Sequence, residues 1–538
     1  MRVLAAFSGH DASATIVNDG IIEHYFKEER YSRKKHDSGN DIVFKKLLDS
    51  GYISEVDYVI YTDNGSNDTK KKKDNILRSF NPNIKIIEPK GEHHLFHAAG
   101  SFYNSGFDKA LVIAIDSAGG YLNKETFESE SVYVAEYPCK FTPVYKKYWS
   151  TNMSTDRIVK DKNGCEFICE NLNSGYVNIG NLYNSAALSI GGTVDDCGKA
   201  MGLSSYGKPV VGLNLLRKTA LENIEYYFTN CPEVLKVLNM NGDERADVII
   251  TKDNYRHYAN YCYEVQRQCQ KHVVNLVGRF VEKTGIRKVC LSGGYAMNII
   301  TNSDLVNKYP DVQFYFEPVC DDSGLSVGAS MYVYRRISGD VNPRPVTNTF
   351  YHGQEHDLLQ HKGSTVDIKT IADILHQNKS VGVFCGLAEA GQRALGNRSI
   401  LYNPLDPDAR EVVNNIKKRE WYRPFAAVVL EEDLDLYFEN ACPSPNMTLC
   451  FSVKSDIIPG VTHVDNTCRV QTVTSGHLYD ILKEFKNLTG HGILLNTSFN
   501  LAGSPLIETP DEALDMLSNS SLDYVWFYET KQLFKSTF

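Results

Sequence analysis

The sequence predicts a mixed α/β protein whose N-terminal part has two lobes and whose C-terminal part is a further α/β unit. Three observations carry this. Apolar runs of strand length end in polar turns. Two later segments read strand, glycine turn, helix. A composition shift at 338–349 (SGDVNPRPVTNT) marks a linker, after which the pattern restarts, placing one boundary near residue 345.

The elements follow in order. Residues 3–7 form a first strand that ends in the polar turn Ser8-Gly9-His10-Asp11. Residues 13–17 and 21–26 flank Asn18-Asp19-Gly20, a strong hairpin signal. The same grammar returns at 110–115, a buried strand followed by the turn Asp116-Ser117-Ala118-Gly119-Gly120 and a strand at 131–136, which suggests two related lobes. Residues 288–291 lead through Ser292-Gly293-Gly294 into a helix from Tyr295. Residues 313–317 lead through Asp321-Asp322-Ser323-Gly324 into a helix from Leu325. Ligands gather at such strand ends. Beyond the linker, 371–377 reads as helix, 381–385 as strand, 479–488 as a helix stopped near Gly490, and 492–495 as strand. Thr509-Pro510-Asp511-Glu512 is a capping box with proline at the first helical position.

Composition narrows the function classes. With 538 residues, 42% hydrophobic and 23% charged, the chain can bury large cores and is not a disordered segment. The net charge of −9 argues against broad binding of nucleic acid and leaves room only for a local basic groove. The 13 cysteines are odd in number and contain no CxxC, so they read as reduced structural thiols. The N-terminal apolar stretch is too short for a signal peptide, and the longest apolar runs are strand length. The expectation is a cytoplasmic protein with no membrane partner.

Chemistry-bearing residues fall into two groups. His93 and His97 lie four apart in EHHLFH, so on a helix they share a face and can reach one metal, with His94 turned away. HxxxH alone is a weak signal. Asp116 and Asp322, each at a strand-end turn, are candidates for further ligands, and two His with two Asp suit iron, manganese or zinc. Ser292-Gly293-Gly294 with Asn298 leaves room for a nucleotide. The stretch 198–209 (GKAMGLSSYGKP), with Lys199 and Gly202, reads as an anion-binding loop. In the C-terminal unit Arg393, Arg398, Lys417, Arg419, Arg423 and Arg469 recur beside glycines, prolines and strand ends, with Asn496 and Ser498 after a strand. Arginine forks recognise phosphate and carbamoyl-type oxygens, so this set points to an anionic ligand. No GxGxxG, GxxxxGK[ST] or GxSxG is present, which disfavours Rossmann dehydrogenases, P-loop NTPases and α/β-hydrolases.

Ten stretches in order resemble the O-carbamoyltransferase family of nodulation-factor and antibiotic tailoring: SGHDASA (8–14), EERYSRKKHD (28–37), EHHLFHAA (92–99), GKAMGLSSYG (198–207), SGGYAMN (292–298), DDSGLSVGA (321–329), RALGNRSI (393–400), REWYRPFA (419–426), RVQTV (469–473) and NTSFN (496–500). The resemblance implies an actin-like (ASKHA, ribonuclease-H-like) domain over 1–345, similar to the threonylcarbamoyl-transfer enzymes, and a YrdC-like domain over 346–538. It implies that carbamoyl phosphate and ATP, the latter with Mg2+, give carbamoyl-adenylate in the C-terminal domain. A hydroxyl acceptor then takes the carbamoyl group at an Fe2+ site (or Mn2+ or Zn2+) of His93, His97, Asp116 and Asp322. Arg393, Arg398, Lys417, Arg423, Arg469, Asn496 and Ser498 would hold carbamoyl phosphate and ATP. Lys199, Gly202, Gly293, Gly294 and Asn298 would bind nucleotide. His10, Lys417 and Arg423 are the catalytic candidates, His10 as acceptor-positioning group or general base.

The family's Asp-Gly-x-Gly-Glu is here Asp116-Ser117-Ala118-Gly119-Gly120, its Gly-Glu-Pro is Gly503-Ser504-Pro505, and its Gly-Pro-Arg is Gly391-Gln392-Arg393. The acceptor read from this is a small molecule or sugar. The alternative is a hydroxymethylated base in DNA, motivated by the lysine run 70–73. A non-catalytic nucleotide-binding protein of this fold is the third reading. A homodimer is compatible with each.

Overall fold

Residues 3–7 are entirely apolar, and in the computed structural model they run through the middle of a sheet. The structure describes residues 1–39, 41–62, 67–88, 92–123, 126–150, 157–160, 164–171, 178–217, 223, 227–228, 249–344 and 351–536. The expected boundary at residue 345, Cys231, and the side chains of Lys70, Lys71 and Lys72 lie outside the described residues. The chain divides into two compact units. One comprises Met1–Glu23 and Ser38–Thr347, the other His24–Asp37 and Asn348–Phe538.

The first unit is built on two sheets. The five-stranded one has β1 (Arg2–Phe7), β2 (Ser13–Asn18), β3 (from Ile21), β4 (Tyr58–Tyr61) and β5 (Lys85–Ile87) in the order β3-β2-β1-β4-β5. The second contains β6 (Lys109–Ile115), β7 (Tyr121–Asn123), β8 (Thr126–Glu136), β9 (Lys140–Ser150), β10 (Arg157–Lys160), β11 (Glu166–Asn171), β12 (Lys288–Ser292) and β13 (Gln313–Phe316). Its main path runs β10-β11-β9-β8-β6-β12-β13. Stripped of the outer pair β10 and β11, this is the first order repeated: third, second, first, fourth, fifth. The strand senses repeat too. β2 and β8 are antiparallel to the first strand of their sheet, while β4 and β12 are parallel to it. That shared order is the ribonuclease-H-like half of an actin-like fold, and the two expected lobes are these two sheets. The hairpin between β2 and β3 turns at Asp19 (φ 47°) and Gly20 (φ 81°), the left-handed pair that an Asp-Gly turn favours.

One helix of each lobe packs on the other lobe's sheet. The helix His93–Ser105 follows β5 yet lies on β6 and β12, and the helix Leu325–Ser338 follows β13 yet lies on β1 and β2. The two helices also pack on each other, and glycine makes this possible. A Cβ on Gly328 would stand 1.8 Å from the carbonyl oxygen of Phe96, and one on Gly100 would stand 3.5 Å from the Gly328 Cα. Hydroxyls then fasten the second helix to β2, where Ser13 Oγ and Thr15 Oγ1 lie 2.8 and 2.7 Å from Ser326 Oγ.

The second unit carries one nine-stranded mixed sheet, β14 (Ser364–Thr365), β15 (Val381–Phe384), β16 (Arg398–Tyr402), β17 (Ala426–Leu430), β18 (Leu449–Ser452), β19 (Thr467–Val473), β20 (Ile493–Ser498), β21 (Tyr524–Phe527) and β22 (Gln532–Lys535). The order is β14-β22-β21-β15-β16-β20-β17-β19-β18. Its strands are apolar on both faces because helices cover both. Val383, Leu401 and Trp526 pack with the helices Ile368–His376 and His477–Thr489. Their neighbours Phe384, Ile400 and Val525 pack with Pro510–Asn519 on the opposite side. The box at Thr509 forms as read: its side chain accepts from Glu512 N, and the Glu512 carboxylate accepts from Thr509 N.

Two expectations change. Only the end of 198–209 is a loop: Cys197–Ser204 is a helix, preceded by a Thr193–Asp196 capping box and packed on the long helix Tyr255–Thr284 with Ala200, Gly202 and Leu203 buried. The helix expected from Tyr295 begins later. Gly294–Met297 is a 3-10 turn, and Asn298 caps the helix Ile299–Lys308.

Candidate metal centre and anion site

The HxxxH helix places His93 and His97 in its first two turns, with ring centroids 4.9 Å apart. Asp116 leaves the end of β6, and Asp322 opens the 3-10 turn Asp322–Gly324 that leads into the helix Leu325–Ser338. Their ligand atoms converge. His97 Nε2 lies 3.4 Å from both Asp116 Oδ2 and Asp322 Oδ1, and His93 Nε2 lies 3.9 and 3.5 Å from the same atoms. All four groups offer atoms within 4.8 Å of one another.

The residues fit a divalent cation. Both Nε2 atoms are buried without a hydrogen-bond partner, and buried orphans of this kind call for one. Two imidazoles and two carboxylates form a mixed N/O donor set suited to iron, manganese or zinc. The electrostatics agree: against the penalty of burial, Asp322 and Asp116 pull the His93 imidazole up to about 10. The same imidazoles, again against burial, hold Asp322 down to about 2. A cation bound here would displace those protons.

His10 stands beside this cluster, in the turn that follows β1. Its Nδ1 lies 3.1 Å from Asp11 Oδ2 and its Nε2 lies 3.3 Å from Asp322 Oδ2. The Asp11 contact, with help from Asp322, pushes the ring up to about 9. Protonated in this way, the ring faces a carboxylate with each nitrogen.

The glycines expected at a nucleotide serve a nearer neighbour. Gly293 (φ 82°) lets the turn approach β6: a Cβ there would lie 2.2 Å from the Ile115 carbonyl oxygen. Gly294 N points at Asp116 Oδ2 at 3.5 Å. Asn298 is buried, accepting from Thr301 N and exchanging hydrogen bonds with Gln266. Lys199 pairs with Asp196 at 3.1 Å on its helix, and Gly202 sits inside that helix.

His94 points into the unit, as the spacing requires. Its Nδ1 is 2.7 Å from Ser131 Oγ, and burial pushes it down to about 3, so it stays neutral. Gly119 is what makes room, since a Cβ there would meet His94 Nε2 at 2.5 Å. A residue missed in the sequence is Glu317, just past β13. It is 3% exposed and accepts from Val319 N at 3.1 Å and Asn104 Nδ2 at 3.1 Å. The signal for it was slight, a lone acid after an aromatic strand.

In the second unit the strand register sets Arg469 on β19 beside Ala426 on β17, and Ala426 beside Asn496 on β20. Burial and mutual repulsion drive the cations here downward. Lys417 is lowered by burial and then by Arg419 and Arg423. Arg419 is lowered by burial, Arg423 and Arg469, and Arg469 by burial and then Arg393. Glu420, 3.5 Å from Arg423, is the carboxylate ion-paired within this set among the described residues. The Arg469 Nε is buried without a partner. A cluster of this kind is suited to an anion.

Two predicted members are turned inward. Lys417 Nζ gives its protons to the turn at Ser498 and Asn500, reaching Ser498 Oγ at 3.2 Å, Asn500 O at 2.9 Å and Asn500 Oδ1 at 2.8 Å. The Arg398 guanidinium, 0% exposed, lies over the Phe384 ring and donates to the carbonyls of Cys385, Gly386, Asn397 and Glu508. Asn496 Nδ2 donates to Gln471 Oε1 at 2.7 Å. The other missed residues belong to 24–37. Arg30 Nη2 donates to the carbonyls of Glu389 and Gly391, on the loop that carries Arg393, and Arg33 donates to those of Leu506 and Pro505.

Comparison with known proteins follows the same division. Residues 78–331 match the family described as "Carbamoyltransferase N-terminus" and residues 372–531 match "Carbamoyltransferase C-terminus". An uncharacterized protein of Synechocystis sp. is 26% identical over 96% of this chain and 94% of its own length. Nodulation protein NolNO of Sinorhizobium fredii is 26% identical over 96% of this chain and 77% of its own. Among solved structures, full-length HypF in its phosphate- and nucleotide-bound form has a TM-score of 0.35 at 14% identity, covering 63% of this chain and 56% of that one. Among the described residues no helix is long and apolar enough to cross a membrane. With both of its halves matched over most of their length, the chain belongs to the carbamoyltransferase family.

Proposed function

We propose that this carbamoyltransferase is an ATP-dependent O-carbamoyltransferase that works in two steps. In the second unit, water attacks carbamoyl phosphate at phosphorus and the P–O bond breaks to give carbamate and phosphate, and a carbamate oxygen then attacks the α-phosphorus of ATP, brought with Mg2+, releasing pyrophosphate. In the first unit, a hydroxyl of a small molecule or sugar attacks the carbonyl carbon of the resulting carbamoyl-adenylate, and AMP leaves. The observation that carries this reading is the pairing of one family's two domains with two sites of opposite character, a His2Asp2 cluster and a cluster of mutually repelling cations.

The chemistry motivates the division. Carbamate is a poor electrophile because its carbon is quenched by both oxyanion and amide resonance, and adenylation gives it a leaving group. Arg393, Arg423 and Arg469 stabilise the charge released as the P–O bond breaks. Lys417 holds the Ser498–Asn500 turn and adds positive charge, while Arg398 keeps the loop between Cys385 and Asn397 in place. His93, His97, Asp116 and Asp322 would hold the divalent metal, which supplies Lewis-acid charge neutralisation. His10, as imidazolium, donates a hydrogen bond to an oxygen of the intermediate or acceptor.

The test uses the full chain with ATP, labelled carbamoyl phosphate and Fe2+ or Mn2+, following pyrophosphate release and label on candidate acceptors. Pyrophosphate release that depends on carbamoyl phosphate is expected without acceptor, and label transfer only with metal. Absence of pyrophosphate under all conditions overturns the reading.

A further inference from the structure

The two nitrogens of His97 have different surroundings. Nε2 faces the carboxylates of Asp116 and Asp322. Nδ1 lies on the opposite side of the ring, where it is buried and has no hydrogen-bond partner. A narrow gap is lined by His97, Gly100, Asn104, Ser292, Glu317 and Gly324, among others. Two more orphaned polar atoms belong to the same lining, Ser292 Oγ and Asn104 Oδ1. Three unsatisfied polar atoms around one gap form a built feature, because each orphan is costly where it is buried.

The gap also holds a carboxyl group with no lysine or arginine on it. Glu317 is fixed by Val319 N, Asn104 Nδ2 and Tyr315 OH, the last at 3.4 Å. These contacts hold the head group in place and leave it acceptor capacity. An imidazole that binds a cation through Nε2 carries its proton on Nδ1, and that N–H needs an acceptor. His93 differs, since its unpartnered nitrogen is Nε2, on the cluster side.

We infer that Glu317 is the positioning residue for His97: once a cation on Nε2 leaves the proton on Nδ1, Ser292 Oγ turns to accept it and passes its own hydrogen to Glu317, links that are not formed in this structure. The relay suits a hydroxyl, which accepts from one neighbour while donating to the next. Glu317 thereby fixes the tautomer of His97 and the orientation of its ring toward Asp116 and Asp322, and so sets how tightly the cluster binds a divalent cation. The inference rests on the metal reading given above.

The experiment measures Mn2+ binding to the metal-free full chain by calorimetry and by the Mn2+ electron paramagnetic resonance signal, with no substrate present. The variants are Glu317→Leu, Glu317→Gln and Ser292→Ala, and the melting temperature of each metal-free variant is recorded. Glu317→Leu removes the acceptor and is expected to weaken Mn2+ binding by about 10–100-fold. Glu317→Gln keeps the size and an acceptor oxygen, so it should lose less, and Ser292→Ala should fall between wild type and Glu317→Leu. The metal-bound signal of Glu317→Leu should broaden as the His97 ring loses its fixed orientation.

Should Glu317→Leu fail to fold, Glu317→Gln and Ser292→Ala decide. Affinities in both within twofold of wild type overturn the inference, as does a folded Glu317→Leu with wild-type affinity and signal. If the wild-type chain binds Mn2+ and only the variants behave unexpectedly, the positioning role alone fails. If the wild-type chain binds no Mn2+, Fe2+ or Zn2+, the metal reading falls and this inference falls with it.

Discussion

The two sites solve opposite electrostatic problems. In the first unit, two carboxylates face two imidazoles, and each pair draws the other toward its charged form. Without a ligand the cluster still balances, because protons on the histidines stand in for a metal. In the second unit, Arg419, Arg423 and Arg469 repel one another, and burial adds to the penalty. Glu420 pairs with Arg423 at 3.5 Å. The difference teaches that a candidate cation site is recognised by opposite charges facing one another across orphaned ring nitrogens, whereas a candidate anion site is recognised by like charges drawn together.

The largest expected effects come from breaking each site in turn. His97→Ala should abolish metal binding and transfer to acceptor, and leave pyrophosphate release intact, as judged by metal content, labelled product and phosphate assays. Asp116→Asn should do the same and also lower the stability of the metal-free chain, because two imidazoles lose a counter-charge. Arg469→Ala should have the opposite sign on stability. It removes a buried, unpaired charge, so the ligand-free chain should gain on the order of 1 kcal/mol while pyrophosphate release is lost. A denaturant titration of the two variants side by side tests the contrast. A destabilised Arg469→Ala chain that still releases pyrophosphate would remove the cation cluster from the reaction.

Acidity sharpens the same comparison. The Lys417 ammonium is held well below the usual lysine range by burial, then by Arg419 and Arg423. A group whose folded value is depressed in this way penalises the folded chain below that value, and the penalty fades as pH rises toward the free-lysine range. The unliganded second unit should therefore gain stability with rising pH across that window. Binding of inorganic phosphate should weaken over the same window as the charge is lost. Lys417→Met should flatten both profiles, measured as phosphate-dependent shifts in melting temperature at several pH values.

Much of the first site was legible in the sequence. His93 and His97 are local, and helical spacing alone puts them on one face. Asp116 and Asp322 could be named because each ends a strand or opens a turn. Their convergence depends on something spacing does not carry, the exchange of helices between the two sheets, with Gly328 against Phe96 at the crossing. Glu317 was missed for the same reason: it becomes significant only when β13 brings it behind His97. The first part of 198–209, up to Ser204, departs from the loop that its glycines suggest. The Thr193–Asp196 capping box and the packing on Tyr255–Thr284 decide for a helix instead. Residues 24–37 show the limit most clearly. They fall early in the chain, so linear reading assigns them to the N-terminal domain, yet they belong to the second unit, where Arg30 holds the Glu389–Gly391 loop. Only tertiary contacts carry that information.

The smallest expected effect comes from a feature that serves neither site and was read correctly from sequence. The Thr509–Glu512 box satisfies two backbone donors at the start of the helix Pro510–Asn519. That helix packs Ala513, Met516 and Leu517 against Val525 and Phe527 of β21. Thr509→Ala removes the side-chain acceptor without changing any charge, so it should cost about 1 kcal/mol. It should leave metal binding in the first unit and the pH profile of phosphate binding in the second unchanged. A Thr509→Ala chain that lost phosphate binding at unchanged stability would mean that the anion site depends on the Glu508–Pro510 backbone, to which Arg398 donates through the Glu508 carbonyl. The contrast drawn between the sites would then have to include the loop that Arg398 ties down, and not the clustered cations alone.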